Sequence, residues 1–182
     1  MREPSVTVIT PTLPGREQLL DRCRTSVEAQ TVRCEHLVEA DSERVGPSVL
    51  RNRLAGRATT EWLLLLDDDD ELDPACAETL LDRADGADVV YPWCRTTGDN
   101  QIRWIANKLH NPESLLRGFN YIPNTALVRT DAWYMLGGHR RVQTEDWDLW
   151  KRALLHGCPI RCVPEILWTY HFHGTNTFQG AR

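Results

Sequence analysis

Four consecutive aspartates, Asp67-Asp68-Asp69-Asp70, follow directly on four leucines, Leu63 to Leu66. A strand-sized apolar run ends where a block of negative charge begins. Adjacent carboxylates repel one another, so the block needs solvent or a counter-ion. Hard oxygen donors suit Mg²⁺ or Mn²⁺, ions that also bind phosphates. Such an ion stabilises a nucleoside diphosphate as a leaving group. Open α/β sheets bind ligands beyond the carboxyl ends of their strands, which is where the quartet falls. Other chemistries fit the same letters. A solvated acidic turn leading into the next helix is one. A calcium loop is another, with acids at Asp67, Asp69, Glu71 and Glu78, although its sixth position needs Gly and is Leu72. A phosphatase of the haloacid-dehalogenase type would use Asp67 as nucleophile. It normally carries that motif near the N-terminus with a supporting Lys, and here the only lysines are Lys108 and Lys151.

The elements that must position the quartet are legible in part. Ser5 to Thr10 is β-branched and reads as a strand, followed by a Pro11 to Gly15 loop. Arg16 to Gln30 has helical spacing of Leu19, Leu20, Cys23 and Val27. Strands are expected at Cys34–Ala40, Glu61–Leu66 and Ala87–Trp93. Helices are expected from Pro47 to about Ala58, and from Asp73-Pro74, with Asp73 as N-cap, to Asp85-Gly86. This alternation predicts an α/β fold with a mostly parallel sheet flanked by helices. Beyond Cys94 the pattern loosens. We expect a hairpin across 95–107, a short helix capped by Asn111-Pro112, and a strand from Ile122 to Thr130. A helical turn over 131–136 and a plain surface loop at Gly137-Gly138-His139-Arg140-Arg141 follow. Glu145 to His156 is an amphipathic helix with Thr144 as N-cap and Gly157 as terminator. Strands over 160–163 and 166–172 close the chain.

Bulk composition narrows the classes. The 182 residues suffice for one domain, with no internal repeat or linker. A net charge of -5 gives no support for a nucleic-acid partner. All but two of the 21 basic residues are arginines. No segment approaches the ~20 apolar residues of a membrane span. Met1 to Pro4 lacks a signal-peptide core, so a cytoplasmic protein is expected. The six cysteines show no CxxC pair and read as reduced thiols. Most of the seven tryptophans should be core, with Trp93, Trp104, Trp133 and Trp147 as candidates for sugar stacking.

Taken in order, several segments resemble the family 2 glycosyltransferases, which have the GT-A fold, a Rossmann-like nucleotide-diphospho-sugar transferase domain. Val6 to Thr12 resembles the family's opening strand and its Pro-Thr. Glu39-Ala40-Asp41-Ser42 stands where an acidic turn is common. Ser48 to Asn52 resembles an Ala-Arg-Asn segment. Leu66 to Asp70 resembles the Leu-Asp-x-Asp-Asp (DXD-type) motif. Thr144 to Trp150 resembles a Glu-Asp motif on a helix, and Tyr170 to Asn176 a late Tyr-x-x-His-x-x-Asn segment. The resemblance implies one domain over 1–182, with a nucleotide-binding half to about 93 and an acceptor and catalytic half from about 94.

It also implies roles. Pro11, Thr12, Asp41, Arg51, Asp67 and Asp68 would bind the donor nucleotide, with Asp41 toward the base, Arg51 toward the pyrophosphate or a base-side carboxylate, and Asp67 toward the ribose or metal. Asp69 and His173 would hold Mn²⁺ or Mg²⁺. Asp146, with Glu145 beside it, would be the general base of an inverting transfer to a hydroxyl acceptor. The donor would be a nucleotide-diphosphate sugar, a UDP-sugar by preference. A binding module without turnover keeps the same fold, and the Glu145-Asp146 pair argues against it.

Overall fold

The computed structural model describes residues 6–98 and 108–173. In chain order the elements are β1 (Val6–Thr12), α1 (Glu17–Glu28), β2 (Cys34–Ala40), α2 (Pro47–Ala55), β3 (Trp62–Leu65), β4 (Glu71–Leu72) and α3 (Cys76–Asp82). They continue with β5 (Val89–Gly98), α4 (Pro112–Arg117), β6 (Leu127–Arg129), α5 (Thr130–Leu136), α6 (Glu145–Leu155) and β7 (Ile160–Phe172). Among the described residues one sheet of seven strands runs in the order β2-β1-β3-β6-β5-β7-β4.

Strand direction differs from the expectation of a mostly parallel sheet. The β1–β2, β1–β3 and β5–β7 pairs are parallel, while β3–β6, β5–β6 and β4–β7 are antiparallel. The α/β architecture stands, and the sheet is mixed. Short β6 runs against both of its neighbours, and this direction leaves no trace in hydrophobic periodicity.

The centre of the sheet is buried on both faces, as a continuous apolar run requires. Leu63, Leu64, Leu65 and Leu66 are all fully buried. Alternation divides them. Trp62, Leu64 and Leu66 join Val6 and Val8 against α1 and α3. Leu63 and Leu65 join Ile9 against α2, α5 and α6. Burying each leucine contributes about 1.5–3 kcal/mol, so β3 is anchored on two sides and the turn that follows inherits its position.

Several boundaries move for identifiable reasons. Asp73 is not the N-cap of α3: Ala75 holds that place, and the Asp73 carboxylate pairs with Arg95. The expected strand over 122–130 contracts to β6; Pro123 has no N–H to give a ladder, and the Asn124 side chain turns to Asp67. The two closing strands form one long β7, with the register irregular beside Pro92, Trp93 and Cys94. Residues 95–98 extend β5; the rest of the expected hairpin, with Trp104, lies outside the described residues, as do Gly174 to Asn176. Asn111 caps α4 as expected, accepting from the Ser114 amide at 3.0 Å. Thr144 is the N-cap of α6 by position and makes no side-chain cap bond. All six cysteines are free. Among the described residues no helix is long and apolar enough to cross a membrane.

Candidate active site

The quartet forms a tight turn at the end of β3, closed by the Asp70 amide donating to the Asp67 carbonyl at 3.2 Å. It is not a solvated turn. Asp68, Asp69 and Asp70 are all buried, and Asp67 is half-buried. A calcium loop is also ruled out, since the flanking elements are strands β3 and β4.

Each carboxylate has its own partner. Asp68 accepts from the Thr12 hydroxyl at the end of β1 and pairs with Arg16 at 2.8 Å. Burial pushes its carboxyl upward, against the Thr12 and Arg16 contacts that hold it down. Asp69 takes the other Arg16 nitrogen at 2.6 Å and faces the His173 Nε2 at 2.8 Å. Asp70 is the most enclosed. Burial, then repulsion from Asp67 and Asp69, drives its carboxyl well above the usual range. It accepts from the His171 amide at 3.2 Å and so ties the turn to β7. His171 itself turns to Glu71, 2.8 Å away.

Asp67 points the other way, to Arg51 on α2 at 2.5 Å and to the Asn124 amide at 3.0 Å. Arg51 is buried and also pairs with Glu145 at the start of α6. One guanidinium thus bridges the turn after β3 to the Glu145-Asp146 helix. Burial disfavours its charge, but Asp67 and Glu145 outweigh that and raise its pKa. The Ser48 hydroxyl, one turn earlier on α2, also donates to Glu145.

His139 packs on this hub, 3.4 Å from Arg51 and tilted against Trp133 with ring centroids 5.1 Å apart. Asn52 clamps its backbone from both sides, donating to the His139 carbonyl at 2.8 Å and accepting from its amide at 2.9 Å. Burial, then Arg51 and Arg152, pushes the imidazole well below its ordinary value, so it is neutral. The Gly137–Arg141 segment is therefore no plain surface loop: Gly138 and His139 are buried, while Gly137, Arg140 and Arg141 face solvent. Gly138 has φ +63, and a Cβ there would strike the Asn52 side chain.

Asp146 lies beyond Glu145. One carboxylate oxygen accepts from the Trp147 amide at 2.8 Å, and the other from the Asn120 amide at 2.8 Å. Burial raises its pKa; the Trp147 amide and Arg51 oppose, while Glu145 and Asp67 add to the rise.

The sequence matches the family model "Glycosyl transferase family 2" over residues 36–141. That is more than half of the chain and includes the quartet. The chain belongs to glycosyl transferase family 2. No curated protein matches the sequence. Solved structures show the same fold at low identity. S. aureus TarS 1–349 in complex with UDP-GlcNAc superposes with a TM-score of 0.75 at 17% identity, covering 98% of this chain and 61% of that one. The mannosyltransferase PcManGT from Pyrobaculum calidifontis, in complex with GDP-Man and Mn²⁺, gives 0.71 at 15%, covering 97% and 59%. The chain thus spans about three-fifths of the length of these structures. The fold expectation is met, and family membership displaces the phosphatase reading.

Within this family 2 domain, the sequence-nominated residues fall into two groups. Thr12, Asp68, Asp69 and His173 gather at the ends of β1, β3 and β7. Arg51, Asp67 and Glu145 share one ion-pair hub, with Asp146 next along α6. Pro11 is buried at the end of β1. Asp41 stays apart: its two oxygens accept from the Val45 and Gly46 amides at 2.8 Å each, shaping the approach to α2. Trp133 is core, while Trp93 and Trp147 are half-buried, the latter beneath Lys151 at 4.2 Å. The sequence reading omits Arg16, Asn120 and Asn124, and places His139 in a plain surface loop. Arg16 was discoverable, because a buried acidic block demands a cation from the neighbouring loop. The asparagines carry no local signal.

The donor chemistry bears on the metal. Among the described residues no cluster of three or more His, Cys, Asp or Glu side chains could enclose an ion. Asp69 and His173 nonetheless bring one carboxylate and one imidazole together, His173 Nε2 lying 2.8 Å from the Asp69 carboxylate. That pair fits an ion that takes its other ligands from diphosphate oxygens and water.

Proposed function

We propose that this chain transfers a sugar from a nucleotide-diphosphate donor to an acceptor hydroxyl, with inversion and with Asp146 as general base. The observation that carries the reading is the Arg51 bridge, which joins the quartet's Asp67 to the Glu145-Asp146 helix and so sets donor and base machinery side by side. Relatives of the same fold support the donor class: TarS is solved with UDP-GlcNAc and PcManGT with GDP-Man and Mn²⁺. A UDP-sugar is our preferred donor.

In this reading Asp146 accepts the acceptor's proton as the hydroxyl oxygen attacks the anomeric carbon. The bond from that carbon to the diphosphate breaks, and its electron pair leaves with the nucleoside diphosphate. Thr12, Pro11 and Asp68 line the nucleoside side, Asp67 meets the ribose, and Asp41 shapes the loop toward the base. Arg51 positions Asp67 and Glu145 rather than binding pyrophosphate, because both ends of its guanidinium are engaged by carboxylates. Asp69 and His173 would hold the divalent ion, which when bound neutralises charge on the departing diphosphate. An imidazole among the ligands favours Mn²⁺ over Mg²⁺. The division into a nucleotide-binding half to about residue 93 and an acceptor half beyond it follows from the same assignment; the site of action we propose is cytoplasmic.

A thermal-shift series with UDP and GDP, each with and without Mn²⁺, tests the donor side. One nucleotide should raise the melting temperature, and more so with Mn²⁺. Donor hydrolysis or transfer should then be lost in Asp69→Ala and Asp146→Ala. Unchanged turnover in both variants would sink the reading.

A further inference from the structure

The connection between α4 and β6 carries two asparagines, Asn120 and Asn124, and each donates its side-chain amide to a carboxylate of the site. Asn120 reaches the Asp146 Oδ2 at 2.8 Å. Its own Oδ1 accepts from the Ile122 amide at 3.3 Å, which fixes the amide's orientation with the NH₂ group toward Asp146. The other Asp146 oxygen is held by the Trp147 amide. The carboxylate is therefore gripped at both oxygens by neutral N–H donors. It makes no ion pair among the described contacts, although Arg51 from α2 acts on it at longer range. The remaining charged groups that face it are Glu145 from its own helix and Asp67 from the turn after β3.

We propose that Asn120 is the positioning residue for Asp146: its amide aims the carboxylate and stabilises the ionised form that accepts a proton. This rests on the reading of Asp146 as the base. The physical reason is direct. An N–H donor favours the charged carboxylate, while burial and the neighbouring acids favour the protonated one. Removing the Asn120 donor leaves the second set unopposed on that oxygen, so the midpoint of Asp146 must rise.

The test is a carbon-13 NMR titration of protein labelled at the aspartate side-chain carboxyls, the Asp146 signal being the one lost in Asp146→Asn. The midpoint should move upward by about one pH unit in Asn120→Ala. If that variant fails to fold, the isosteric Asn120→Asp keeps the volume. It places a second carboxyl against the first, and the two should then titrate in separate steps. With UDP-GlcNAc and Mn²⁺ as the turnover probe, the acid limb of the rate profile should shift upward with the Asp146 midpoint. An unmoved midpoint in Asn120→Ala, or one-step titration in Asn120→Asp, overturns the role of Asn120. Wild-type turnover in Asp146→Asn overturns the base assignment itself, and the positioning role with it. If Asp146→Asn is inactive while the midpoint stays put, only the claim about Asn120 falls.

Discussion

The site contains two kinds of enclosed carboxylate, buried in the turn after β3 and half-buried at the start of α6. Asp68 and Asp69, in the turn after β3, are matched by formal cations and imidazole: Arg16 touches both, and His173 meets Asp69. Asp146, at the start of α6, is held by amides alone. The difference teaches what each can do. Carboxylates already organised around positive charge suit a divalent ion and a diphosphate. A carboxylate in a desolvated place, gripped by neutral donors, keeps an oxygen basic enough to take a proton. Arg51 stands between the two sets and binds one member of each neighbourhood, Asp67 and Glu145.

The comparison is broken most severely by removing the proposed base. Asp146→Asn should keep the shape and lower turnover about 10²–10⁴-fold, measured as steady-state donor hydrolysis or transfer. The next largest effect belongs to the hub. Arg51→Met leaves Asp67 and Glu145 facing each other without their shared cation, and should cost about 3 kcal/mol of folding stability in chemical denaturation. That figure allows for the partial exposure of Asp67, whose side chain is 35% accessible.

A smaller effect tests the neutral imidazole beside Arg51. The folded-state pKa of His139 is depressed, and so is that of His36, to about 4, through burial and then Arg24. Depressed histidines contribute stability that is present above the unfolded value near 6.5 and is lost as pH falls toward the folded value. Denaturation at pH 5.5 against pH 7.5 should show a loss of about 1.4 kcal/mol from His139, absent in His139→Gln. Asn124→Ala should be mildest, under about 1 kcal/mol in the same assay, since Asp67 keeps Arg51 and some solvent.

Much of this was legible in the residues themselves. The β2 boundaries, Cys34 and Ala40, were readable from turn and propensity signals, and so was the α6 start at Glu145. Leu63 to Asp70 announced both a doubly buried strand and the site beyond it. Strand direction was not readable, because β6 owes its antiparallel place to the way the chain returns between β3 and β5. Local sequence also misjudged Gly138 and His139. Their burial comes from Asn52, 87 residues away for His139, and from Trp133. Asn120 and Asn124 look like ordinary loop residues until the fold sets carboxylates opposite them.

Calorimetric titration of UDP or GDP, with Mn²⁺ present, into Asp69→Asn and Asp146→Asn tests the division of labour most directly. The account predicts that Asp146→Asn binds the nucleotide as the wild type does, while Asp69→Asn loses the Mn²⁺-dependent part of the affinity. Equal binding by Asp69→Asn together with weakened binding by Asp146→Asn would contradict it.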